Sequence, residues 1–217
     1  AAQNITQITS AITEKDQKNG NSSLTKSGAG TLSLTNNNTY KGGTDVQAGT
    51  LSVARAASLG DGAVTLQTGS TLETQSSTTL TQNILLKGDA TISTGGIKPA
   101  ENITQVTSTI SGDGGLIKSG AGTLSLTADN AYKGGTSIEE GTLSIKRAAS
   151  LGTGDVKIAN DATLETQKST AANKTTTLTQ NISLSGSATI STNDAENITQ
   201  ITSTVSGAGS LTKAGAG

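Results

Sequence analysis

The sequence predicts an all-β fold in which short strands wind repeatedly around one axis, a parallel β-helix or β-solenoid. Three observations predict it. Residues Lys26–Gln75 and Lys118–Gln167 are identical at 33 of 50 positions, and self-similarity of this strength marks a repeat architecture. Within each copy a short apolar/polar alternation, rich in Thr, Ile and Val and bounded by Gly, Asn and Asp, returns at near-constant spacing, which is the period of a strand. The 217 residues include no Cys, His, Met, Trp or Phe, two Tyr and one Pro. Leu, Ile, Val and Ala must therefore fill the interior, and stacked aliphatic rows suit that list better than a thick core.

The large period is set by Asn4-Ile5-Thr6-Gln7, which returns at Asn102 and Asn197. It divides one continuous segment, 1–217, into super-repeats at about 4–101 and 102–196 and the start of a third at 197–217, each of about 95 residues. Six extra residues within Thr13–Ser23 of the first copy, and six at about Thr170–Thr175 of the second, read as loops projecting from a repeated body. Inside each super-repeat, Leu32, Leu51, Leu72 and Ile92 sit in strands 19, 21 and 20 residues apart, and Leu124, Leu143, Leu164 and Ile190 follow at 19, 21 and 26. Each such strand follows another after a tight corner, as in DVQ-AG-TLSV and LTKS-GAG-TLSL, where Gly supplies positive φ without steric cost.

Coils of about 20 residues stack at ~4.8 Å. Nine or ten of them give a rod of roughly 45 Å. Leu32 and Leu34 are expected to face inward, with Thr31, Ser33 and Thr35 outward. Leu32, Leu51, Leu72 and Ile92 then form one structural ladder, and Leu124, Leu143, Leu164 and Ile190 a second. Each buried aliphatic contributes ~1.5–3 kcal/mol. Asn83, Asn102, Asn181 and Asn197 all precede Ile and are expected to stack as a corner ladder. Tyr40 with Gly42 and Gly43, and Tyr132 with Gly134 and Gly135, occupy matching YKGGT sequences. They are assigned as structural turns, the ring covering the helix beside the Gly-Gly pair.

Chemistry is harder to place. Net charge is −1, from 15 basic and 16 acidic residues scattered along the chain, so there is no electrostatic footprint for nucleic acid. No apolar run approaches the ~18 residues of a membrane helix, and the first residues lack the pattern of a signal peptide. Without His or Cys the commonest general bases, thiol nucleophiles and transition-metal ligands are missing, and no cofactor or metal is expected. Carboxylates are left. Glu139-Glu140 is an adjacent pair whose side chains would point to opposite faces of a strand. Glu73 and Glu165 occupy matching TLET strands, but glycoside hydrolysis needs a second carboxylate opposite. Asp61 and Asp113 lie in isolated Gly-Asp-Gly corners rather than in the tandem copies a calcium-binding β-roll requires. A carbohydrate-active β-helix enzyme is the weakest of the readings kept open.

The stretch KSGAGTLSLTNNNTYKGGTDVQAGTLSV, Lys26–Val53, resembles the passenger-associated transport repeat, also called the autotransporter-associated β-strand repeat. Its GxGTLxL strand, Asn-rich link, YxGGT turn and xxGTLxV strand recur at Lys118–Ile145. The resemblance implies a right-handed parallel β-helix within the secreted passenger of a Gram-negative type V autotransporter. It further implies an extracellular or cell-surface location and tethering to the outer membrane through a C-terminal barrel not present in this chain. The functional expectation is a non-catalytic, rigid surface stalk or adhesin-like virulence scaffold meeting a receptor on a host or neighbouring cell. The alternative is a self-assembling head-to-tail fibre or surface-layer element, since the two large repeats between Asn4 and Asn197 would let stacking continue the rod in phase.

Overall fold

A computed structural model of the chain describes residues 4–13, 21–96, 98–169, 172 and 174–217. Residues 14–20 of the first expected loop, and 170, 171 and 173 of the second, lie outside the described residues. The fold is a β-solenoid of about nine turns, roughly 21 residues each, with parallel strands and almost no helix.

Three faces make up a turn. The first face is a ten-stranded sheet: Ile5–Ile8, Thr31–Leu34, Thr50–Val53, Thr71–Thr74, Ala90–Thr94, Leu116–Ser119, Thr136–Ile138, Val156–Ile158, Ile182–Leu184 and Val205–Gly207. The second face has seven strands: Thr78–Leu80, Ile103–Val106, Thr123–Leu126, Thr142–Ile145, Thr163–Thr166, Ser187–Thr192 and Ser210–Ala214. The third has six: Leu24–Lys26, Thr44–Val46, Val64–Leu66, Ile84–Leu86, Ile110–Gly112 and Ala131–Tyr132. Thr175–Leu178 and Ile198–Ile201 pair separately but take the third-face place in chain order. Where a strand is missing, single 3-10 turns at Ala56–Leu59 and Ala148–Leu151 close the coil and bury Leu59 and Leu151.

Strand burial alternates with period two, as in Val64–Leu66 and Ala90–Thr94. Register puts like on like: Leu32, Leu51, Leu72 and Ile92 are successive partners on the first face, and Leu124, Leu143, Leu164 and Ile190 on the second. All are buried except Leu32, which is partly covered near the end of the stack. Both rows then meet a lysine. Ile92 pairs with Lys118, and Ile190 with Lys213.

The super-repeat is not a whole number of turns. From Ile5–Ile8, four steps along the first face reach Ala90–Thr94, and the equivalent strand Ile103–Val106 then falls one face further on. A super-repeat is therefore four turns plus one face. Leu24–Lys26, Leu116–Ser119 and Ser210–Ala214, three copies of one element, lie on the third, first and second faces in turn. Two expectations change as a result. Asn83, Asn102, Asn181 and Asn197 precede strands on the third, second, first and third faces, so they do not form one corner ladder. Asn102 and Asn197 are buried while Asn83 and Asn181 are exposed. And two large repeats do not return the chain to its starting face: Ile5–Ile8 is on the first, Ile198–Ile201 at the third.

Candidate functional surface and the buried polar sites

Outward side chains form rows at the strand spacing. Thr31, Thr50, Thr71 and Thr91 are in register on the first face, and Thr123, Thr142, Thr163, Thr189 and Thr212 on the second. Beside them run Ser33, Ser52, Glu73 and Ser93, and Ser125, Ser144, Glu165 and Ser191. Ser33, Ser52, Ser125 and Ser144 point outward yet are buried, because the glutamine of TLETQ folds back over them, while Ser93 and Ser191 are half-buried. Gln75 Nε2 donates to Ser33 Oγ at 3.0 Å and Ser52 Oγ at 2.9 Å, and Ser52 Oγ donates to Glu73 Oε2 at 2.6 Å. Gln167, Ser125, Ser144 and Glu165 repeat the arrangement. Glu73 and Glu165 are thus each tied into a polar staple.

Bare apolar side chains stand out at matching places in the super-repeats, with Val205 and Leu211 also exposed in the third. Ile5, Ile103 and Ile198 are 60%, 54% and 57% exposed. They are the isoleucines of the Asn-Ile-Thr-Gln landmark, so the rotation of the super-repeat shows one on each face.

No group of three or more His, Cys, Asp or Glu side chains that could hold a metal occurs among the described residues. A surface recess of about 420 Å³ is lined by Gln75, Ser76, Ser77, Lys98, Glu101 and Asn102. Its carboxylate, Glu101, is held by Lys98 at 3.1 Å with both side chains exposed. Asp113 is likewise bound, to Lys133 at 2.8 Å, and that ammonium holds its carboxyl below the usual range. Glu139 and Glu140 sit at an exposed corner.

The turn residues lie deeper than expected. Tyr40 and Tyr132 do not cover the solenoid; they are fully inside it. Each hydroxyl shares a hydrogen bond with a threonine four residues on, Thr44 at 2.7 Å and Thr136 at 2.6 Å. Those threonines donate to Leu59 O and Leu151 O at 3.2 Å. Burial pushes both phenol groups up from their ordinary value. Gly43 and Gly135 both have φ +88, and a Cβ on either would lie 2.6 Å from a carbonyl oxygen, of Ala63 or Asp155. Gly42 and Gly134 are as tightly covered, with 2.4 Å to Asn21 O and to Gly115 N.

Three interior polar groups were not anticipated from the sequence. Asn38 accepts from Ile12 N at 2.8 Å and donates to Ser58 O at 2.6 Å, bridging the coils on either side; Asn130 does the same between Ile110 N and Ser150 O. Thr74 and Thr104 share a hydrogen bond at 2.5 Å inside the solenoid. Lys118 is wholly buried, and its ammonium donates to Ser119 O at 2.9 Å, Gly120 O at 2.6 Å and Glu140 O at 2.9 Å. Lys26 makes the matching bonds to Ser27 O, Gly28 O and Ala48 O. Burial lowers Lys118 to about 8, with the Glu140 charge opposing the shift. The signal was present: in Leu24-Thr25-Lys26 the lysine keeps inward parity with the leucine.

The passenger-associated-transport-repeat family matches residues 24–53 and 116–145, the two segments that hold the caged lysines, buried tyrosines and Gly-Gly turns. The adhesin BmaC autotransporter of Brucella suis biovar 1 (strain 1330) is 37% identical over 134 residues, 59% of this chain. The chain spans 4% of that relative's length. No solved structure matches. The chain is a β-solenoid that carries two passenger-associated-transport repeats.

Proposed function

We propose that the chain is a segment of a secreted autotransporter passenger, working as a rigid, non-catalytic stalk of adhesin type at the bacterial cell surface. The observation that carries this reading is the outer surface. It is built from repeated, stapled rows of Thr, Ser and Glu, with Glu73 and Glu165 tied into the staples rather than paired across a groove. The likeness to an autotransporter adhesin supports the surface location and the adhesive role. A stack of coils hydrogen-bonded edge to edge resists bending, which suits display at a distance from a membrane tether. The partner of this reading is a receptor on a host or neighbouring cell, met by outward side chains such as Ile103 and the Thr rows.

The test uses the purified chain on intact cells and on a panel of polysaccharides. The expected result is saturable cell binding, weakened when Ile5, Ile103 and Ile198 are replaced together by Ser, with no release of reducing sugar. Sugar release that is lost in Glu73→Gln or Glu165→Gln would overturn the reading in favour of an enzyme.

A further inference from the structure

Rows of like on like carry a hazard. A stack of near-identical coils can slip by one coil and still place aliphatic on aliphatic. On the first face the inward row reads Leu32, Leu51, Leu72, Ile92, Lys118, Ile138, Ile158, Leu184. Lys118 is the one member that is not interchangeable with its neighbours. Two of its bonds go to its own corner, Ser119 O and Gly120 O, and the third to Glu140 O on the next coil. Lys26 spends its third bond in the same way, on Ala48 O. In both cases the closing carbonyl is 22 residues on.

The corner that supplies that carbonyl is itself specific. Gly49 (φ +66) and Gly141 (φ +69) follow Ala48 and Glu140, and a Cβ on Gly141 would lie 2.5 Å from both Gly120 O and Gly122 O. Gly49 is nested identically on Gly28 O and Gly30 O. A corner with any side chain there cannot sit down on the lysine corner. The next corner along, Ala159-Asn160-Asp161-Ala162, has no glycine. It can neither nest on the Lys118 corner nor bring a carbonyl to the ammonium in the same way.

We propose that Lys118 and Lys26 are register latches: each buried ammonium, joined at Lys118 by the glycine corner one coil on, fixes which coil stacks next and rejects a slip; at Lys26 the following corner also holds a glycine, Gly69 (φ +73), so selection there rests on the ammonium. Buried polar groups that select one register among near-equal alternatives are known in helical assemblies, and an unpaired buried charge is the penalty that rejects the others. The latch fits a repeat protein in particular, because its coils interact only with their neighbours and a local slip is not corrected from elsewhere.

The chain has no cysteine, so paired spin labels can be placed without background. Labels at Thr71→Cys and Ser183→Cys, outward on the first face, are five strand steps apart, roughly 24 Å. After refolding from denaturant, the wild-type background should give one narrow distance. Lys118→Met, an aliphatic of similar length in an aliphatic row, should fold and add a second population shorter by about 5 Å, one coil looped out. A single unchanged distance in Lys118→Met overturns the latch. So does failure of that variant to fold, which would make the lysine a stability element. The same test on Lys26→Met reads Thr25→Cys against Ser111→Cys on the third face, four steps apart. A slipped population there supports the latch, and its absence overturns it.

Discussion

The two super-repeats carry the same devices in different places, and the differences between them separate what local sequence specifies from what the stack adds. Lys26 and Lys118 make the same three bonds, yet Lys26 keeps 6% of its surface while Lys118 keeps none. Burial lowers both, and Lys118 is the one brought to about 8. Asn38 and Asn130 bridge equivalent groups, but the first reaches to Ile12 at a partly exposed outer coil and the second to the buried Ile110. Tyr40 and Tyr132 agree in geometry, both buried with hydroxyl bonds within 0.1 Å of each other, although burial raises the Tyr132 phenol further than that of Tyr40. Hydrogen-bond geometry is therefore a property of the repeat. Desolvation is a property of how many coils lie on either side.

The largest expected effect is one in which the copies behave alike. Tyr132→Ala and Tyr40→Ala each remove a fully buried ring and should cost about 3–5 kcal/mol, read as equal shifts in urea unfolding. A clear inequality would mean that the first super-repeat unfolds apart from the second.

The lysines should break that equality in a pH-dependent way. Lys118 has a folded value of about 8 against 10.5 for an ordinary lysine. Below pH 8 both states hold the proton and burial costs its full amount. Between 8 and 10.5 the folded state gives up its proton first, so stability rises with pH, by roughly 2 kcal/mol from pH 8 to 10. Above pH 10 the raised tyrosines act the other way, because the unfolded chain ionises first. The measurement is unfolding free energy from pH 7 to 10. The rise should vanish in Lys118→Met and be nearly intact in Lys26→Met; a flat wild-type profile would contradict it. A smaller asymmetry follows for the bridging amides. Asn130→Ala leaves Ile110 N–H and Ser150 C=O unmet in the interior and should cost about 2 kcal/mol, and Asn38→Ala less, since water reaches Ile12.

These contrasts mark how far the residues alone could be read. Leu51, Leu72 and Leu143 declared their rows through strict alternation, because period two and a 20-residue return are both visible in letters. The face of each strand was not visible. Whether Leu116–Ser119 continues the third face or the first depends on how 92 to 98 residues divide by a turn of roughly 21, and insertions in loops blur that division. Lys118 went unread for another reason: lysine at an inward position contradicts its usual preference for water, and only the folded corner reveals three carbonyls waiting for it. Alternation places Ser33 on the outer face, but its burial and that of Ser52 depend on Gln75, 42 and 23 residues along the chain.

The smallest effect expected lies where the copies differ in sequence and nothing is buried. Lys133 binds Asp113 at 2.8 Å, with 70% and 84% of the two side chains exposed, and the first copy has Lys41 and Asn21 at those places. Exposed pairs gain little, because water screens the attraction and two mobile side chains must be held still. The geometry is good, and the carboxyl is held low by its partner, yet both measures describe attraction in the folded state without the cost of ordering. Lys133→Ala should therefore leave the urea midpoint where it was. The Asp113 carboxyl should meanwhile return toward an ordinary value in a carbon-detected NMR titration. A shifted midpoint would mean that this pair secures the Gly114–Gly115 corner under Gly134, a role the first copy fills with no ion pair among the described residues.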